Sequence, residues 1–144
     1  MYEFPPCFPE NFEKEILPVL AKKQILNVYR IMKSGKIERD SFLSTYEEIE
    51  RGLIPPKKEI NLQEPDIYST SCNLEYSDAE YLLSIFMRHH PKPIIAKGQT
   101  NPNCGPSQIT KERKQRDDSH VDWWIYEQSN PQDYFEMITK KEDE

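Results

Sequence analysis

The chain has 144 residues, 36% of them hydrophobic and 11% aromatic, with a formal net charge of −6. That aromatic supply excludes a disordered chain, and no run approaches the ~20 apolar residues of a membrane-spanning helix. The first 60 residues carry ten acidic and ten basic side chains, so the rest supplies the whole negative balance, which argues against broad binding to a phosphate backbone.

Cys7, Cys72 and Cys104 are odd in number, far apart and without C-x-x-C spacing. They form no disulfide framework, so a cytoplasmic protein with reduced thiols is expected. Met1-Tyr2-Glu3-Phe4-Pro5-Pro6 has neither the basic start nor the apolar run of a signal peptide.

In chain order, Pro5, Pro6 and Pro9 mark an extended lead-in over residues 1–10. Leu17, Leu20, Ala21, Ile25, Val28, Ile31 and Met32 then recur at helical spacing, with Pro18 in a first turn and Gly35 as a stop. This predicts a helix over about 17–34. Phe42, Leu43, Tyr46 and Ile49 predict a second, capped by Asp40 or Ser41 and ended by Gly52. The two read as a helical hairpin.

Beyond a polar connection, Ile67 to Cys72 reads as a short strand. Ser77-x-x-Glu80 is a capping box for a third helix, with Ala79, Leu82, Leu83, Phe86 and Met87 inward. Ile94-Ile95-Ala96 reads as a second strand, and residues 98–119 as a long functional or mobile loop. His120 to Tyr126 is the strongest strand pattern, and Asn130-Pro131-x-Asp133 starts a last helix before a charged tail at 139–144. The expected fold is a single α+β domain over 1–144. Its N-terminal helical hairpin precedes a small mixed or antiparallel sheet with helices packed on it.

The segment 98–127 concentrates the candidate chemistry. On a strand, His120, Asp122 and Trp124 share one face, with Val121, Trp123 and Ile125 on the other. A carboxylate beside an imidazole can orient it for acid–base work, with Thr100 or Ser107 from the loop as companions. The plainer alternative is a hydrogen-bonded or solvated pair at a strand end. Metal binding is not expected, because His89, His90, His120, Cys72 and Cys104 show no paired-ligand spacing. Lys111, Arg113, Lys114 and Arg116 could hold a phosphate, but Glu112, Asp117 and Asp118 offset them. Binding of nucleic acid is therefore not expected.

Tyr29-Arg30, then Tyr68-Ser69-Thr70-Ser71, then Glu127 stand in an order that resembles ADP-ribosyltransferases of the arginine/serine/glutamate class. The resemblance implies an Arg on an early strand, a Ser-Thr-Ser strand supporting a nicotinamide pocket and a late catalytic Glu, hence NAD as cofactor and Arg30, Ser69 and Glu127 as the site. The chain departs from it where Arg30 falls in a predicted helix. It departs again at residue 125, an Ile, where the family carries E-x-E or Q-x-E. The residues themselves favour an interaction or regulatory protein using the 98–127 surface with a protein partner, since Tyr and Trp are common anchors. Tyr76, Tyr81, Trp123, Trp124, Tyr126 and Tyr134 are its aromatic candidates. The NAD-using enzyme is the alternative.

Overall fold

The first apolar stripe is a strand. In this computed structural model, which describes residues 3–56 and 60–138, β1 (Asn27–Met32) puts Val28 and Met32 on one face and Ile31 on the other, all buried. A strand covered on both sides loses its period of two and imitates a helix. The supposed helical stripe also fails at Leu20 and Ile25, which are exposed. In place of the expected helix over 17–34 there is a coil and then β1, preceded by a π-turn at Phe12–Ile16.

The second expected helix shrinks as well. A 3-10 turn (Arg39–Phe42) leads into α1 (Thr45–Glu50), which Ser44 caps rather than Asp40 or Ser41. Ser44 Oγ accepts from Glu47 N at 3.2 Å while Ser44 N donates to Glu47 Oε1 at 3.0 Å, a reciprocal pair that satisfies two orphan donors. Among the described residues there is no N-terminal helical hairpin.

A six-stranded antiparallel sheet organises the chain instead. Its remaining strands are β2 (Thr70–Asn73), β3 (Ile94–Gln99), β4 (Ser107–Ile109), β5 (His120–Trp123) and β6 (Phe135–Met137), in the spatial order β4-β5-β2-β1-β3-β6. The expected strand at 67–72 starts later, after a 3-10 turn at Pro65–Tyr68. The loop at 98–119 contains β4 and a further turn, Thr110–Glu112. The expected last helix is a 3-10 turn (Pro131–Tyr134) followed by β6. The charged tail at 139–144 lies outside the described residues.

α2 (Tyr76–Phe86) lies on one face of the sheet, where Ala79 meets Ile31 and Ile95. Its first residue follows Glu75, which makes no side-chain cap, so the expected box at Ser77 and Glu80 is not formed. The opposite face carries the main core around Val28, Met32, Phe42, Val121 and Trp123. Burial of each such side chain contributes about 1.5–3 kcal/mol. A third cluster draws Phe8 of the lead-in and Phe12 of the π-turn onto Tyr68 and Trp124. Gly105 holds the chain end of β5 close: at φ +136°, a Cβ there would sit 1.9 Å from Trp124 O, a contact only glycine permits.

Pairing along the sheet is uneven. β1 matches β3 at six register positions, from Asn27↔Gln99 to Met32↔Ile94. β1 matches β2 only at Tyr29↔Asn73.

Candidate functional site

Past Tyr29↔Asn73 the two strands splay, and side chains take over from the ladder. Arg30 Nη1 donates to Ser71 O at 2.6 Å and Nε to Ser41 O at 3.0 Å. Thr70 Oγ1 donates to Phe42 O at 2.6 Å. One guanidinium thus satisfies a β2 carbonyl, Ser71 O, and with one hydroxyl ties the 39–42 turn into the seam. Phe42 lies beneath, with the Arg30 guanidinium 5.8 Å from its ring centre.

A cavity of about 290 Å³ opens on this split, at the small end of the range for ligand sites. Ser69, Ser71, Asn73 and His120 give it a polar wall, and Leu82 and Phe86 of α2 an apolar one. Asn73 is buried and Ser71 exposed. Neither side chain has a hydrogen-bond partner among the described residues, so the cleft offers a free amide and a free hydroxyl.

Under the polar wall sits Asp122, with no solvent exposure. Its Oδ1 lies 2.6 Å from Ser69 Oγ, and its Oδ2 accepts from Thr110 Oγ1 and Arg113 Nη2, both at 2.8 Å. Ser69 shares its one proton with Asp66 O at 3.0 Å. Thr110 Oγ1 also lies 2.7 Å from His120 Nδ1. Because the threonine proton goes to Asp122, Thr110 must accept from the imidazole, which fixes the Nδ1–H tautomer. Nε2 then remains for the cleft.

Charge is managed within the same cluster. Arg116 grips Asp118 through Nε at 2.7 Å and Nη2 at 2.8 Å, and this hydrogen bonding pulls the Asp118 carboxyl down to about 2. Burial lowers the His120 pKa below the ordinary imidazole value, with Asp122 opposing the shift and Arg116 adding to it. For Asp66, burial acts upward, but hydrogen bonds and charge from Lys114 and Arg113 leave it below the usual carboxylate value.

The split therefore brings Arg30, Ser69, His120 and Arg116 to one cleft, with Asp122 and Arg113 directly behind. Glu127 is elsewhere: it follows the end of β5, and its amide donates to Glu3 O at 2.7 Å. Thr100 is buried between Leu26 N and Gln24 O. Ser107 is buried opposite Trp123 on β4, and its hydroxyl has no hydrogen-bond partner among the described residues. Trp124 is buried and donates to Pro65 O. Of the basic loop residues, Arg113 and Lys114 are paired with Asp66 and Arg116 with Asp118, so little of that charge is left for a phosphate. No group of His, Cys, Asp and Glu among the described residues could hold a metal ion, and no helix there is long and apolar enough to cross a membrane.

Sequence reasoning missed Thr110 and Asn73, and named Ser71 within the Ser-Thr-Ser run and Asp118 among the offsetting loop charges without assigning either to the site. Ser71 and Asn73 share a strand face with Ser69, a period-two signal that was legible. Thr110 reaches His120 only through the β4–β5 turn, which no local pattern announced. No family model, curated protein or solved structure matches this chain.

Proposed function

We propose that the split between β1 and β2 is a binding cleft for NAD and that the protein cleaves its bond to nicotinamide, transferring the ADP-ribosyl group. The observation that carries this reading is the placement of Arg30 on β1 beside Ser69-Thr70-Ser71 at β2, where the two strands pair at a single register position. α2 and β3 follow in the order the resemblance to ADP-ribosyltransferases implies. The helical position that stood against Arg30 is gone.

The residues present suit such a ligand. The free amide of Asn73 and hydroxyl of Ser71 match a carboxamide and ribose hydroxyls, and Leu82 and Phe86 offer a flat ring an apolar wall. The late acidic position falls to Asp122, since that carboxylate meets Ser69. His120-Val121-Asp122 also supplies a polar residue two positions before the acid, the spacing of Q-x-E. Two departures remain: the acid is an Asp, and it is fully covered. The member of the pair that faces the cleft is His120.

The competing reading, a protein-binding surface over 98–127, draws on aromatic anchors, and Trp123, Trp124 and Tyr126 are all buried. NAD added at a hundred times its Kd should stabilise the fold by about 2.7 kcal/mol, read as a rise in Tm, and free nicotinamide should accumulate. A Tm indifferent to NAD, with no nicotinamide released, ends the proposal.

A further inference from the structure

The hydrogen-bonded chain His120–Thr110–Asp122 has a direction and an open end. Asp122 accepts from Ser69, Thr110 and Arg113. Thr110 passes its only proton to that carboxylate and can receive from His120 Nδ1 alone. An imidazole held this way presents an unprotonated Nε2, the arrangement of a general base whose tautomer is set by a buried carboxylate. His120 lines the cleft, and its ring makes no other hydrogen bond among the described residues. A hydroxyl relay between imidazole and carboxylate lets the acid stay covered while the base reaches ligand. That arrangement answers the question left by Asp122, an acidic residue at the right place in sequence that no ligand can touch.

We propose that His120 is the general base for an oxygen acceptor, water or an alcohol, with Thr110 and Asp122 as its positioning residues; this rests on the NAD reading above. The acceptor oxygen forms a bond to C1′ of the ribose as the C1′–N bond to nicotinamide breaks. The bonding pair leaves with the nicotinamide nitrogen, which becomes neutral, and the acceptor proton moves to Nε2 and then to solvent. The step is redox-neutral: beyond NAD and the oxygen acceptor it needs no oxidant or reductant.

The charged groups facing His120 are Asp122 on its own strand, Arg116 and Asp118 on the preceding loop, and Asp66 on the turn before β2. Burial is the largest of these influences and keeps the ring neutral at pH 7, so the acidic limb of the rate profile should lie below about 6.5.

The experiment uses the full chain with NAD, in water and with methanol added as the alcohol. The parent should release nicotinamide and, with methanol, form methyl ADP-ribose. His120→Gln should keep the Tm rise with NAD while both products fall by about 10²-fold or more. Thr110→Val should slow both reactions less and move the acidic limb. NMR of the imidazole nitrogens, without NAD, should show a neutral ring protonated at Nδ1 in the parent and a mixed tautomer in Thr110→Val. Turnover by His120→Gln equal to the parent's, or a parent ring protonated at Nε2, overturns the proposal while leaving the NAD reading intact. A parent that neither binds NAD nor releases nicotinamide overturns both.

Discussion

The two sides of β1 are held by different means. Against β3 it is zipped by backbone at six consecutive positions; against β2 it meets backbone once, and the rest of the seam is made by Arg30, Thr70 and the inserted 39–43 segment. A backbone ladder tolerates most side-chain changes, whereas a seam of side chains fails residue by residue. The largest loss is expected just beyond the seam, where β5 backs β2 and a side-chain cluster holds Asp122: Asp122→Asn. It sets an amide among three donors and removes one of the two carboxylates on Arg113. Leaving a buried ion unpaired costs about 3–5 kcal/mol, and because Asp66 remains, about 3 kcal/mol is expected from urea unfolding.

Arg30→Lys probes the seam more gently. A lysine has one ammonium where the guanidinium serves Ser71 O and Ser41 O from two nitrogens, so one carbonyl loses its partner, at about 1–3 kcal/mol. The matched control is Lys97→Ala on the zipped side, an exposed residue of β3 paired through its backbone, expected within about 0.5 kcal/mol of the parent. Equal losses from the two substitutions would erase the distinction between the sides.

The same distinction governs what could be read from the sequence. β5 was legible because the core face at Val121 and Trp123 and the polar face at His120 and Asp122 alternate within one strand. α2 was legible because its stripe of Ala79, Leu82, Leu83 and Phe86 faces a single partner surface. β1 was not, since cores on both of its faces filled the polar positions and left a run that fits a helix equally well. β6 was hidden by Pro131 and Asp133, which start a 3-10 turn as readily as a helix. Ser69 and His120 stood out as residue types in suggestive places. Their link through Asp122 and Thr110 depends on β2, β4 and β5 lying side by side, and strand order is not written in any local pattern. Glu127 was preferred to Asp122 because it is the glutamate nearest the strand's end, and only the contact with Ser69 separates the two.

The smallest expected effect separates the two acidic-side titrations of the split seam. His120 has a folded pKa below its ordinary value, so the unfolded chain takes up a proton first. Below about 6.5 the unfolded state therefore binds more protons, and stability falls as pH drops through that value toward the folded pKa. Asp118 runs lower: its carboxyl at about 2 in the fold stabilises above the unfolded value of about 3.9, and that contribution is lost as pH falls toward 2. Asp118 is more than a third exposed, so solvent screening keeps its share modest. Thermal unfolding followed from pH 7 downward should thus show two declines, with His120→Gln abolishing the upper and Asp118→Asn reducing the lower, to which Asp66 also contributes. If His120→Gln leaves the upper decline in place, the imidazole is not buried against the cleft wall as described, and the side-chain seam loses its titrating member.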